Sequence, residues 1–430
     1  MTVDLGRVSL VGKGEYSPTA KYERLDVVRY NGAAYLVLRD VTGVTPSVGA
    51  NYMLLVQDGT QGPQGEKGDT GATGAQGPQG PAGEITDEQL ESVSQSVIEK
   101  ITGVNWVETM LPSSTTWGSI AYGNSRFVAI AESTNQAAYS TDGITWTAAT
   151  LPTPSPSYAS WSDIAYGNGK FVVITTTNSS QAAYSADGIT WTVATLPSSA
   201  YWRSVTYGNG KFVAVAGGAD SSNKAAYSAD GINWAAATLP LSDYWRSVTY
   251  GNGRFVAVAG GVNPSSKAAY STDGINWTAA TMPSPDYWSS VAYGNSRFVA
   301  VAETVGYSLD NVAYSADGIN WTATTLPLSA SWSGVTYGNG KFVVIASSGS
   351  QSIYSTDGIN WTAAALPSTA NWYSIAYGGG KFVAITFGNN KAAYNIQAII
   401  SAEDLITYGT TDLTAGTSTL ATGTIYLVYE

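Results

Sequence analysis

The chain has 430 residues, of which 44% are hydrophobic and 12% charged, with a formal net charge of −11. It contains neither cysteine nor histidine, which excludes disulfides, thiol chemistry and Ser-His-Asp catalysis and removes the commonest ligands of zinc, copper and haem. A hydrophobic share of this size can bury a large core, while charge at about half the usual share leaves a surface of Ser, Thr, Asn and Gly, which suits an extracellular or virion surface.

Residues 1–57 read as a small β module. Tyr16, Tyr22, Asp26, Val27, Val28, Tyr30, Asn31, Gly32 and Tyr35 carry a resemblance, over residues 14–55, to the chitin-binding-type module found near the start of many phage tail proteins. The resemblance implies attachment to a particle. Where that module usually has a Trp, this chain has Asn51, Tyr52 and Met53. The opening residues MTVDLGRVSL have neither the basic end nor the apolar stretch of a secretory signal, so release by cell lysis is the expected route.

From Gly59 to Gly83 every third residue is glycine. Only glycine fits at the axis of three wound polyproline-type chains, so the period predicts a collagen-like triple helix over 58–84 and therefore a homotrimer. At ~3 Å per residue that is a rod of roughly 70 Å. Residues 85–102 predict a short helix, with Thr86 as cap and Gln89 as its reciprocal partner. Leu90, Val93, Val97 and Ile101 fall at three- and four-residue spacing, a seam that can clamp three chains or lay one helix on a neighbouring domain.

Residues 103–395 are a repeat array. The unit is W-x-x-[IV]-[AT]-Y-G-[NG]-[SG]-[KR]-F-V, a variable stretch, A-Y-S-x-D-G-I-[TN]-W, and Leu-Pro. Its first Trp recurs at Trp117, Trp161, Trp202, Trp245, Trp288, Trp332 and Trp372, with spacings of 44, 41, 43, 43, 44 and 40 residues. That period fits four strands per unit: W-x-x-I-A-Y, F-V-A-V-A, A-A-Y-S and I-N-W-T-A-A-T, the first two and last two joined by tight Gly-containing turns. The second Trp block stands six times, at Asp142, Asp187, Asp230, Asp273, Asp317 and Asp357. The last unit stops at Asn395 without it, but GVNWVETMLP stands alone before the first unit. The expectation is a mainly β chain with a seven-bladed β-propeller, closed when the strand at 103–112 completes the last sheet. Strand alternation then puts the repeated turns on one face, with the chain's entry at Gly103. The variable connections lie on the other face, where a binding site is expected. Residues 396–430 leave on the entry side and are expected to pack near the base of the trimer.

The stretch Ser140–Trp146 and its five later copies resemble the BNR or Asp-box repeats of sialidase-type propellers; here Asp and Gly are adjacent. The resemblance implies that the six Asp are structural turn formers. It also implies a test for an arginine triad. Arg126, Arg254 and Arg297 share the [KR]-F-V position with lysines, so only Arg203 and Arg246 remain, in sister positions of adjacent units. Asp163, Asp220, Asp243, Asp286, Glu132, Glu303 and Asp310 stand in or near loops, with no spacing that selects a pair for glycoside hydrolysis. A binding protein rather than an enzyme is expected, with no cofactor and no metal. Tyr201, Tyr244 and Tyr287 precede the unit's first Trp, and Tyr158 stands in a longer loop; with Arg203 and Arg246 they are the candidate ligand-binding residues. Residues 104–395 carry 12 basic against 14 acidic side chains, which gives no basic patch for nucleic acid, and no run of ~18 apolar residues predicts a membrane span. The module, triplets and distal domain together resemble a phage tail fibre. The resemblance implies a virion-tail location, partners in the tail or baseplate, and a bacterial surface receptor, glycan or protein, bound with trimer avidity.

Overall fold

In the computed structural model the described residues are 11–57 and 103–396, apart from 24–25, 32, 38–39, 48–50, 157–158, 218–219, 261–262 and 304–311. The expected collagen-like segment at 58–84, the helix at 85–102 and the tail beyond Ile396 lie outside them. Among the described residues every regular element is a β-strand. The chain divides into two compact units.

In the smaller unit, Val11–Glu15 pairs in parallel with Asp26–Tyr30, which continues antiparallel to Ala33–Val37 and then Tyr52–Gln57. Tyr22, Val28, Val37, Val41 and Tyr52 form the core. Tyr16 stacks on Tyr22 at 5.8 Å and meets Tyr30 edge-on at 5.5 Å. Tyr52, near the place of the resembling module's Trp, is 1% exposed and donates its hydroxyl to the Val44 carbonyl at 2.6 Å. It is a core residue and offers no face to a sugar.

The larger unit, Gly103–Gln397, is a β-propeller. One sheet shows the plan: Trp202–Gly208, Lys211–Ala216, Ser222–Ser228 and Ala235–Asp243, each antiparallel to the next. The first turn has Asn209 at φ 46° and Gly210 at φ 73°, the pair of left-handed residues that a two-residue hairpin needs to match the strand twist. Phe212, Val213, Ala214, Val215 and Ala216 are all buried, because this second strand is covered on both faces.

Two strands serve two sheets each. Thr278–Gly294 pairs through its first half with Ser265–Ser271 and through its second half with Arg297–Glu303. Asn105–Gly123 pairs through its second half with Arg126–Ala131, and through its first half with the end of Lys381–Ile396. In that last ladder Trp106 stands opposite Asn395 and Val107 opposite Tyr394. The stretch missing its own unit thus completes the sheet that the end of the array leaves open. Asn395, 3% exposed, accepts the Phe382 N–H on its side chain at 2.5 Å.

Neighbouring sheets are fitted by glycine and tyrosine. A β-carbon on Gly123 would lie 1.9 Å from Cγ of Tyr166 in the next repeat. The same close approach recurs at Gly167 with Tyr207, Gly208 with Tyr250, Gly251 with Tyr293, Gly294 with Tyr337 and Gly338 with Tyr377. It returns to the start at Gly378, whose β-carbon would lie 1.9 Å from Cγ of Tyr122. The Tyr ring lies where a side chain would otherwise stand, so the first strands approach more closely than an alanine permits.

The Asp turns are built alike. Ser228 Oγ donates to Asp230 Oδ1 at 2.9 Å and accepts the Gly231 N–H at 2.9 Å; Oδ1 also accepts the N–H groups of Ile232 and Asn233 at 2.8 Å. Burial pushes the carboxyl of Asp142 up, but the Thr145 and Ile144 amides and the Ser140 hydroxyl outweigh it and hold it down, at about 2. The other five are depressed, against burial, by the amides and serine of their own turns, joined in four of them by an Asn side chain. The [KR] cation of one repeat then reaches the next repeat's turn. Arg126 Nη1 donates to the Asp187 carbonyl at 2.8 Å, Arg254 to that of Asp317 at 2.9 Å, and Lys381 to that of Asp142 at 3.2 Å, from the last repeat to the first. These residues stitch one face of the propeller.

Candidate functional site: a polar pocket where the first strands converge

On the opposite face a cavity of about 120 Å³ opens where the first strands of all the repeats meet. Its wall is built by one sequence column, the residue directly after each first Trp: Gly118, Ser162, Arg203, Arg246, Ser289, Ser333 and Tyr373. The next column also lines it; this is Ser in five repeats, Asp163 in the second and Gly334 in the sixth. Each first Trp is fully buried at 0% exposure and wedges the sheet, so its neighbour is turned toward the opening.

The serines are largely committed to the scaffold. Ser162 Oγ donates to the Trp202 carbonyl at 2.9 Å, Ser289 Oγ to that of Trp332 at 2.7 Å, and Ser333 Oγ to that of Trp372 at 2.8 Å. Ser204 and Ser247 accept the N–H groups of Val248 and Val291 at 3.2 and 3.1 Å. Asp163 does the same work with a charge. It accepts Ser119 Oγ at 2.7 Å and the Val205 N–H at 2.9 Å, and burial, only partly offset by these donors, pushes its carboxyl up.

The remaining groups carry the chemistry. Arg203 donates to the Tyr373 hydroxyl at 2.8 Å and lies 3.8 Å from Glu132 Oε1. Arg246 forms a hydrogen-bonded ion pair with Glu303. Glu132 and Glu303 occupy the same position in two repeats, one residue past the second strand's buried run. Glu132 lies over Gly118, where a β-carbon would stand 2.3 Å from its Cγ; the glycine in that column leaves room for the carboxylate. Burial raises the Glu132 carboxyl against the pull of Arg203, the Tyr373 hydroxyl and Arg246. Arg203 is held firmly protonated by Tyr373 and Glu132 despite its burial. The two arginine side chains are 21% and 17% exposed, so these pairs are partly desolvated.

Of the residues expected from sequence, Arg203 and Arg246 enter this pocket. Tyr201, Tyr244 and Tyr287 are partly buried on the connections just before the Trp wedges and do not line it. Tyr201 and Tyr244 are fixed through their carbonyls, which accept the N–H groups of Gly217 and Gly260 at 3.0 Å; Tyr287 stands opposite Glu303 in the ladder. Tyr158 lies outside the described residues. The six turn Asp, from Asp142 to Asp357, sit in the stitched face. Tyr373 and the pairing of Glu132 and Glu303 with the arginines were not anticipated. The signal was available in the column after the seven Trp, where charge and aromaticity break a run of serine and glycine.

No family model matches the chain, and no curated protein matches it. Solved structures of like fold do. A streptogramin B lyase matches with a TM-score of 0.58 and 12% identity over 68% of this chain and 98% of its own. Virginiamycin B lyase from Staphylococcus aureus matches with a TM-score of 0.58 and 15% identity over 68% and 98%. YCF48 bound to a D1 peptide gives 0.53 and 15% over 68% and 95%. At such identities the likeness is one of fold. It corrects one expectation from the sequence, that the chain is not an enzyme. The propeller it shares over two-thirds of its length is also the fold of lyases, so lack of a familiar catalytic constellation was no ground for excluding catalysis.

Proposed function

We propose that the chain is the receptor-binding protein of a phage or phage-like particle. In this reading it is a homotrimer, docked to the tail or baseplate by its N-terminal module and extended by the collagen-like triplets and the helix. Its propeller has seven four-stranded blades and presents its variable face to a bacterial surface glycan. The observation that carries the reading is the polar pocket on the face opposite the stitched turns. The ladder ends Asn105 and Ile396 belong to the stitched face, so the chain enters and leaves the propeller at the end away from the pocket. The blade count is supported by the seven Gly–Tyr contacts that return to Tyr122, and the trimer by the glycine period.

The full chain, labelled and incubated with a panel of bacterial strains, is expected to bind a subset and to lose that binding when surface polysaccharide is stripped. Binding indifferent to stripping would place the receptor in protein; binding to no strain would sink the reading. One observation favours a second reading, a glycan-degrading enzyme: Glu132 and Asp163 are carboxyls raised by burial in or beside one pocket with two arginines. Release of reducing sugar from the stripped polysaccharide would separate the two.

A further inference from the structure

Resting on the glycan reading, we infer that the central pocket selects a neutral sugar residue, held through its hydroxyls, and rejects sugars bearing a carboxylate. Two arginines in a pocket ordinarily suggest an anion site, because guanidinium groups suit carboxylate oxygens. Here each already faces a carboxylate of the protein, Arg246 that of Glu303 and Arg203 that of Glu132, with the Tyr373 hydroxyl filling a further Arg203 position. Asp163 adds a second carboxyl, beside Glu303, to the wall itself.

An incoming carboxylate would meet Glu303 in the wall and would have to compete with Glu303 and Glu132 for the arginines, with like charges left side by side in a partly desolvated space. A hydroxyl meets no such penalty. It both donates and accepts, so neighbouring hydroxyls of one ring can accept from Arg246 while donating to Glu303, leaving the ion pair intact. Glu132 stands behind that wall, its Oε1 buried and 3.8 Å from Arg203, so that guanidinium is already neutralised from the protein side. The cavity of about 120 Å³ is small beside the roughly 300–1,000 Å³ of drug-sized ligand sites, so it suits one terminal residue rather than a chain. Among the described residues that line it, Tyr373 is the one aromatic.

The test uses the full chain and two sets of monosaccharides, neutral hexoses and their uronic acid counterparts, read by saturation-transfer NMR and competition. Neutral sugars are expected to bind, and each acid to bind at least about tenfold more weakly than its hexose, the loss of one charge-assisted contact. Glu303→Gln leaves Arg246 without its carboxylate and should narrow or invert that ratio, a change of selectivity that simple misfolding would not produce. Glu132→Gln should act in the same direction at Arg203. Preference of the native chain for the acids, an unchanged ratio in both variants, or no binding of either set would overturn the inference. Cell binding measured on the same preparations separates the outcomes: retained cell binding with an empty pocket leaves the receptor reading standing, and loss of both removes it as well.

Discussion

Gly208→Ala is expected to destabilise the propeller by about 3 kcal/mol or more, enough to leave little folded protein at moderate temperature. The methyl group would lie 2.0 Å from Cγ and 2.4 Å from Cβ of Tyr250. Those atoms belong to a ring root, not to the end of a flexible side chain. Tyr250 cannot swing aside, because its ring packs on Phe255 at 4.7 Å and its backbone is held in the ladder opposite Phe255. The strain therefore passes to the spacing of two first strands, and through them to the whole ring. Gly210→Ala, two residues on, is the internal control. Its φ is +73° and nothing lies within 4 Å, so it should lose only the left-handed penalty of about 1–2 kcal/mol. Urea unfolding of the two variants beside the native chain measures both; equal losses would mean that the Gly–Tyr fit is not what sets the spacing.

Trp202→Ala should cost about 3–5 kcal/mol, the range for deleting a large buried aromatic side chain. Trp202 is 0% exposed and packs among Ala165, Val172, Leu196 and Ala214, which belong to two adjacent sheets. Its indole N–H donates to the Ser198 carbonyl at 3.2 Å, so the substitution opens a cavity between sheets and strands an acceptor. Trp234 touches the same cluster but is only partly buried, and Trp234→Ala should cost clearly less. Denaturant midpoints rank the two. A Trp202→Ala chain of native stability would mean that the wedge role assigned to the first Trp is wrong.

Much of this architecture was legible before any coordinates. The period of the first Trp, the Asn-Gly and Asp-Gly turns and the unpaired GVNWVETMLP stretch all report local or register constraints, and those are written residue by residue. The contacts of the pocket were harder to read. Arg203 and Arg246 stood out because they departed from the [KR] position, but their partners Glu132, Tyr373 and Glu303 come from other repeats, and sequence distance hides which side chains meet where the strands converge. The tyrosines before the wedges are the reverse case. Tyr201, Tyr244 and Tyr287 have the right chemistry for a sugar, yet their place one residue before a buried wedge keeps them off the pocket wall. The conclusion that no enzyme was present failed for a different reason, since it inferred absence from unfamiliarity.

The propeller is closed by one ladder, in which Met110 stands opposite Lys391. The native chain has no cysteine, so Met110→Cys with Lys391→Cys reports on that pair alone. Cα atoms of directly opposed antiparallel residues lie about 4.5–5.5 Å apart, within disulfide reach. Mild oxidation should convert both thiols to a link within one chain, while Met110→Cys with Val193→Cys, whose residues belong to different sheets, stays reduced. Free thiols in the first variant, or links formed only between chains, would contradict the closed ring.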